Sequence, residues 1–137
     1  MSVDVYLNFN GNCRQAVEFY AKVFNQEITQ LMTFGEIPQA PEEAKHEDIK
    51  DLIMHARLQI SGSNVMFSDV FPSMPFIEGN NITLAIVSTD RQEIESAYAQ
   101  LQEGGSIAME LQETFWSKCY GMVTDKFGIQ WQLSLGD

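Results

Sequence analysis

One short segment carries a polar side chain at every second position, namely His55, Arg57 and Gln59. It thereby brings a titratable imidazole, a fixed cation and an amide together. Histidine changes charge near physiological pH and can act as a general base or a metal ligand. The period of two predicts a half-buried strand over 52–61, with Ile53 on the polar face. Its apolar face holds Leu52, Met54, Ala56, Leu58 and Ile60. Because that face should meet a helix, we expect the polar face to line a concave cavity.

Each chemical interpretation has a structural alternative. His55 either serves substrate binding or proton transfer beside Arg57, or forms a hydrogen bond within the sheet with no catalytic role. His46 lies in a charged segment, where a solvated side chain is favoured. Glu110 and Gln112 alternate with apolar residues, and either face the cavity or belong to a solvated edge strand.

Two aromatic residues extend the candidate site. Trp116, next to Phe115, lies outside any periodic stripe, so the pair either walls an apolar pocket or plugs the core. Tyr120 on the following strand is a further hydroxyl donor. In the closing strand, Gln130 and Gln132 occupy the polar face, and Ile129, Trp131 and Leu133 occupy the other.

The elements that position these residues form one unit used twice. Alternation predicts strands over 3–9, 27–34, 52–61 and 65–68 and, in the second half, over 81–87, 106–114, 119–124 and 129–135. Apolar stripes predict a helix after Asn12 and another after Asp90. Each half is therefore β-α-β-β-β, with module 1 over about 1–70 and module 2 over about 78–137 of a single domain.

The two copies differ by an insertion. The offset between them is 77 at Arg14 and Arg91 but 66 at Gly62 and Gly128, which leaves about eleven extra residues in module 1. The segment 36–51, with six of the chain's 19 carboxylates, is the predicted insertion. A loop of this length is either a lid or a mobile insertion.

Several polar residues have structural interpretations. Asn12 and Asp90, each followed three residues later by Gln or Glu, are predicted helix N-caps. Asp69 is expected to act in a loop or cap in preference to binding a ligand, and Asp125 to stabilise a turn. Cys13 and Cys119 have no CxxC partner, so neither a zinc site nor a disulfide framework is predicted, and both should be buried.

Composition excludes several classes of protein. The chain has 137 residues, a mass of 15.5 kDa, 45% hydrophobic residues and a net charge of −11. Intrinsic disorder is excluded by the apolar content, and the acid excess argues against nucleic-acid or membrane partners. Without an apolar leader or spanning segment, we expect a cytoplasmic protein.

The repeat resembles the vicinal oxygen chelate superfamily, which includes glyoxalases and bleomycin-resistance proteins. The string AVEFYAKVF at 16–24 is similar to its first helix, with Asn25 where glycine is common. A PhnB-like branch, labelled 3-demethylubiquinone-9 3-methyltransferase-like, is indicated by YLNF at 6–9, FGEIP at 34–38, MFSD at 66–69, ETFW at 113–116 and GMVTDKFG at 121–128.

The resemblance implies a curved mixed sheet, or half-barrel, with helices on its convex face. It also implies a homodimer. Metal-using members bind a divalent ion through about four side chains, at positions equivalent to Val5 or Tyr6, Met66, 81–83 and Gln132. Only Gln132 is a suitable ligand there, so we predict no cofactor and no metal at the usual positions.

Three functions remain open at this point. The first is a small-molecule binding protein of the PhnB-like branch, with an isomerase- or lyase-type activity in which His55 and Glu110 are catalytic. Tyr6, Arg57, Gln59, Trp116, Tyr120 and Gln132 would then bind the ligand. The alternative is a non-catalytic dimer that sequesters a ligand or drug, and a third is a structural dimer with a vestigial cavity. A methyltransferase is disfavoured, because no glycine-rich turn opens a helix.

Overall fold

The structure, a computed structural model, describes residues 1–136 and contains the same succession of elements twice. The chain divides into two units, Met1–Ile77 and Glu78–Asp137. Each has the order β-α-β-β-β, with two short 3-10 helices added in the first unit. The predicted repeat is therefore confirmed.

The first unit is a four-stranded mixed sheet carrying one helix. Its elements are β1 (Val5–Phe9), α1 (Cys13–Val23), β2 (Gln30–Thr33), β3 (Ile53–Ile60) and β4 (Ser63–Asp69). The strand order is β1-β4-β3-β2. β1 and β4 are parallel, and the other pairs are antiparallel. A strand parallel to β1 requires a crossover connection, and α1 forms part of that connection. The helix therefore lies on one face of the sheet.

The core of this unit lies between α1 and the sheet. The helix buries residues three and four apart, namely Cys13, Ala16, Val17, Tyr20 and Val23, as its apolar stripe predicts. The ring of Tyr20 stacks on Phe67 of β4 at a centroid distance of 5.9 Å. Ala56 and Leu58 of β3 are also fully buried. Their neighbours in sequence therefore lie on the opposite face of the sheet.

The start of β3 departs from the predicted alternation. Ile53, assigned to the polar face, is fully buried. Met32 pairs with His55 and Thr33 with Ile53, so one step on β2 spans two residues of β3. This bulge leaves Met54 without an opposite residue and turns Ile53 towards the core. The predicted faces hold only from His55 onwards.

The insertion at 36–51 is a folded loop. It includes a 3-10 helix at Glu42–Lys45, and a second one, Phe34–Glu36, precedes it. Ala44 is buried. Backbone N–H groups of Phe34 and Gly35 donate to the carbonyls of Leu52 and Lys50, which ties the two ends of the loop together.

The second unit repeats the mixed sheet. Its elements are β5 (Leu84–Ser88), α2 (Arg91–Leu101), β6 (Ser106–Gln112), β7 (Tyr120–Thr124) and β8 (Gln130–Leu135). The order is β5-β8-β7-β6, with β5 and β8 parallel. Ile94, Val123, Trp131 and Leu133 are buried between α2 and the sheet, so the predicted apolar face of the closing strand is confirmed at Trp131 and Leu133.

The two helix starts differ. Asp90 accepts a hydrogen bond from the backbone N–H of Gln92 at 2.9 Å, as predicted. Asn12 is the N-cap residue of α1, as predicted, but within residues 1–136 its side chain makes no cap hydrogen bond. Asp69 satisfies the N–H groups of Gly11 and Cys13 there instead. A buried carboxylate from β4 thus replaces the local side-chain cap.

Candidate functional site

The face of the first sheet opposite α1 carries most of the predicted site residues. We call it the open face and define it by the side chains that alternate with the core residues: Tyr6, Asn8, His55, Arg57, Gln59, Asn64, Met66 and Ser68, of which Ser68 is buried. Tyr6 on β1 is opposite Met66 on β4, which in turn is opposite Arg57 on β3. Sheet pairing therefore brings residues separated by about fifty positions into one row.

His55 and Tyr6 form the titratable centre of the open face. The Tyr6 hydroxyl lies 3.4 Å from Nδ1 of His55, and the ring centroids are 5.9 Å apart. Which group donates depends on the imidazole tautomer. Tyr6 is 43% exposed, so a ligand on this face can reach the pair. A phenol beside an imidazole is an arrangement that can transfer a proton.

Arg57 supplies the positive charge of this row. Its Nη2 lies 4.0 Å from the Met66 sulfur, which is a weak acceptor. Its Nε is buried and, among the residues that the structure describes, has no hydrogen-bond partner. On the other side, β2 places the uncharged Gln30 opposite it.

Gln59 and Asn64 form the outer row of the open face. They are opposite each other in the β3–β4 ladder, and Gln59 is exposed. The Nδ2 of Asn64 donates to Asp4 at 3.3 Å, whereas its Oδ1 is buried and has no partner in the described part of the chain. Asn64, Met66 and Ser68 were not predicted as site residues. The alternation with Val65 and Phe67 on β4 was the available signal for them.

The remaining predicted site residues belong to the second unit. The Tyr120 hydroxyl donates to Oε1 of Gln132 at 2.7 Å, which links β7 to β8. Trp116 packs edge-on against Tyr120 at a centroid distance of 5.2 Å and against Phe115 at 4.7 Å. The three aromatic rings and the amide form a second polar and aromatic group.

Phe115 and Trp116 do not plug the core. Their exposed fractions are 97% and 54%. Thr114 and Ser117 close the turn that carries them, since the N–H of Thr114 donates to the Ser117 carbonyl at 2.8 Å. The Ser117 hydroxyl in turn donates to the carbonyls of Cys119 and Leu135. The turn thus holds the two rings outward.

Glu110 lies on an exposed stretch of β6, at the edge of the second sheet. Two register shifts interrupt the β6–β7 ladder, so the simple alternation fails there. Burial raises the pKa of Tyr98 on α2, and the charge of Glu110 raises it further. Among residues 1–136, the Tyr120 hydroxyl donates to Gln132, and no hydrogen bond joins either side chain to the Glu110 carboxylate.

The donor set does not fit a resident divalent metal. At the positions that the resemblance indicates stand Tyr6, Met66 and Gln132, and the Gln132 oxygen already accepts from Tyr120. Within residues 1–136, no three His, Cys, Asp or Glu side chains form a group able to hold a metal. A thioether and a neutral phenol are poor ligands for hard cations. We therefore derive no step through a metal.

The two cysteines are free and buried, as predicted. Burial raises the pKa of the Cys13 thiol far above its usual range, and the Asp69 carboxylate adds to that effect. A thiol held protonated is a poor nucleophile. Cys13 is thus part of the core.

Comparisons with known proteins agree with the fold. A family model described as 3-demethylubiquinone-9 3-methyltransferase matches residues 2–134. Protein YjdN of Escherichia coli strain K12 is 33% identical over 141 residues, covering 98% of this chain and 95% of YjdN. The crystal structure of protein PA1353 from Pseudomonas aeruginosa is 32% identical, with a TM-score of 0.82 and 97% of each chain covered.

More distant structures share the fold. A PhnB protein from Bacillus cereus has a TM-score of 0.78 at 26% identity, covering 99% of this chain and 100% of that one. A glyoxylase/bleomycin resistance protein/dioxygenase domain from Frankia sp. has a TM-score of 0.66 at 12% identity, covering 100% and 98%. A fosfomycin resistance protein from Listeria monocytogenes has a TM-score of 0.63 at 12% identity, covering 100% and 94%. The last two indicate the fold alone.

The fold is therefore that of the glyoxalase and bleomycin-resistance proteins. Within that class, the chain belongs to the PhnB-like family described as 3-demethylubiquinone-9 3-methyltransferase. Among residues 1–136, no helix has the length and apolar character needed to cross a bilayer.

Proposed function

We propose that this protein binds a small molecule on the open face of its first sheet and catalyses a proton-transfer reaction of the isomerase or lyase type. The observation that carries the proposal is the pairing of His55 with Tyr6 in a row that also holds Arg57. His55 accepts or donates the proton, Tyr6 orients the imidazole, and Arg57 and Gln59 bind the ligand. This division of roles follows the chemistry of each side chain.

The second unit, by itself, carries its own set of candidate groups. Trp116 offers an exposed aromatic surface for an apolar part of a ligand. The linked hydroxyl and amide of Tyr120 and Gln132 supply polar contacts. Glu110 is the second acid–base candidate. Its support, an exposed position on β6, is weaker than the support for His55.

The methyltransferase description of the family is not part of the proposal. The usual S-adenosylmethionine-dependent enzymes use a parallel doubly wound sheet with a glycine-rich turn after the first strand. Here each unit is a mixed sheet with one parallel pair of strands. The fold and the descriptive name of the family therefore indicate different reactions, and we base the proposed reaction on the residues of the site.

Replacement of His55 by glutamine tests the catalytic role. A panel of small carboxylic acids and ketones is first screened by the shift in unfolding temperature, because a ligand stabilises the folded state that binds it. Bound compounds are then incubated in deuterium oxide, and deuterium incorporation at carbon is followed by NMR. We expect H55Q to retain binding and to lose incorporation by about 100-fold or more, since general acid–base catalysis contributes that much.

His46 provides the matched control, because it is the other histidine and lies in the insertion. H46Q should exchange deuterium at the wild-type rate. E110Q is assayed in parallel, and an unchanged rate assigns Glu110 to the solvated edge of the sheet. Equal exchange in H55Q and the wild type contradicts the catalytic role of His55.

The alternative function is sequestration of a ligand or drug without turnover. Its support is the exposed pair Phe115 and Trp116, since exposed aromatic surface commonly marks a binding site. Tight binding with neither exchange nor product formation by the wild type favours this alternative. A homodimer and a cytoplasmic location belong to the proposal as well.

A further inference from the structure

We propose that Arg57 is the anchor for an oxyanion, so that the ligand of the open face is a small molecule bearing a carboxylate or phosphoryl group. The inference deepens the proposed function and rests on it, because it concerns the same face of the first sheet. It adds the chemical class of the ligand, which neither the fold nor the family defines.

The first argument comes from comparing the three arginines of the chain. Arg14 is exposed on α1. Arg91 lies 3.9 Å from the carboxylate of Glu95 and donates to the Lys118 carbonyl. Arg57 differs from both, since among residues 1–136 its guanidinium has only the Met66 sulfur as an acceptor. Arg14 also forms no ion pair within these residues, but it is exposed, whereas Arg57 is half-buried in a chain with 19 carboxylates.

The second argument is the buried Nε. A buried N–H without a partner costs about 1–3 kcal/mol, so native structures almost always satisfy such groups. An oxyanion bound side-on accepts from Nε and one Nη at once, and thereby removes this cost. Binding requires the guanidinium to turn away from the Met66 sulfur, which is a weak acceptor and is easily given up.

The third argument is the charge of the surroundings. The residues opposite Arg57, Gln30 and Met66, are uncharged. Asp4, at the end of the open face, accepts a hydrogen bond from Asn64. The positive charge of Arg57 is therefore not neutralised within its row, and a ligand oxyanion would meet it at short range.

The position of His55 then restricts the ligand further. His55 and Arg57 are two residues apart on β3, which places their backbones about 7 Å apart on the same face. A ligand anchored by its oxyanion to Arg57 presents an atom a few bonds away to the imidazole. The arrangement suits a compact acid whose reactive carbon lies close to its carboxylate or phosphoryl group.

The Nε–Hε signals of the arginines offer a direct test. Wild-type protein labelled with ¹⁵N should give three such signals, one for each arginine, and the Arg57 signal is assigned by its loss in R57K. Acetate, inorganic phosphate and neutral acetamide are titrated separately at constant ionic strength. We expect acetate or phosphate to shift the Arg57 signal to saturation, while acetamide has no effect. The stronger of the two anions identifies the source of the oxyanion.

Substitutions of Arg57 separate the effect of the two-point guanidinium geometry from the effect of its positive charge. R57K keeps the charge but loses two-point binding, and we expect about tenfold weaker binding or more, measured on the backbone amides of β3. R57Q should abolish binding, and R14Q is the matched control that should not change it. Backbone amide spectra establish that each variant is folded.

Two results overturn the inference. One is an Arg57 signal that no anion moves, and the other is a parallel, non-saturating shift of all three arginine signals, which indicates screening only. If neutral compounds nevertheless perturb His55, the proposed function stands and only the oxyanion inference fails. If anions bind at Arg57 but H55Q retains full exchange, the inference stands and the catalytic role fails.

Discussion

At the scale of single residues, Asp69 has a larger structural role than its place at the end of β4 indicates. Its side chain is 3% exposed. Oδ1 accepts from the N–H groups of Gly11 and Cys13, and Oδ2 accepts from the N–H of Ile53 at 2.9 Å. One carboxylate therefore joins the starts of α1 and β3 to the end of β4. This geometry agrees with the expectation that Asp69 acts in a loop or cap in preference to binding a ligand.

We expect D69N to lower the free energy of unfolding by about 2–3 kcal/mol. The amide would bring a donor against one of the three N–H groups, leaving a buried pair of donors without an acceptor. Urea denaturation monitored by circular dichroism measures the loss. D4N, at an exposed aspartate, is the control and should change stability little. Equal stability of D69N and the wild type would contradict this role.

At the scale of elements, alternation predicted the faces of strands well where pairing is regular. His55 and Arg57 lie on the open face because Ala56 and Leu58 are required by the core. The same pattern failed at Ile53 and along β6, where bulges insert an extra residue. A bulge depends on the partner strand, so the sequence of one strand does not reveal it.

The connection between α2 and β6 depends on the close approach of Gly105 to β7. A Cβ at this position would overlap the carbonyl oxygen of Thr124 and lie 2.9 Å from Asp125 backbone atoms. We expect G105A to lower the unfolding free energy by about 2 kcal/mol or more, because the backbone must shift to admit the methyl group.

The control for this prediction is G79A in the same unit. The nearest atom to its Cβ would be 3.6 Å away, an ordinary contact, so its unfolding free energy should stay within about 1 kcal/mol of the wild type. Thermal and urea unfolding of the two variants provide the measurement. If G105A and G79A have the same stability, the proposed overlap does not constrain the fold.

At the scale of the whole molecule, the proposed homodimer predicts a salt dependence. Each chain carries a formal charge of −11, so two chains repel each other unless salt screens the charges. We expect multi-angle light scattering to give twice the chain mass of 15.5 kDa at 150 mM NaCl, with a weaker dimer at 10 mM. A mass of 15.5 kDa across the accessible concentration range would contradict the dimer.

The sequence by itself determined the repeat, the order of elements, the open-face residues of β3 and the family, because hydrophobic periodicity and local motifs are encoded within each segment. The tertiary structure decided which distant residues meet. Tyr6 reaches His55, and Tyr120 reaches Gln132, only through sheet pairing. Asp69 replaces the predicted side-chain cap of Asn12 for the same reason. Register and burial are properties of packed strands, so the buried Nε of Arg57, which has no hydrogen-bond partner within residues 1–136, becomes visible only once the sheet is assembled.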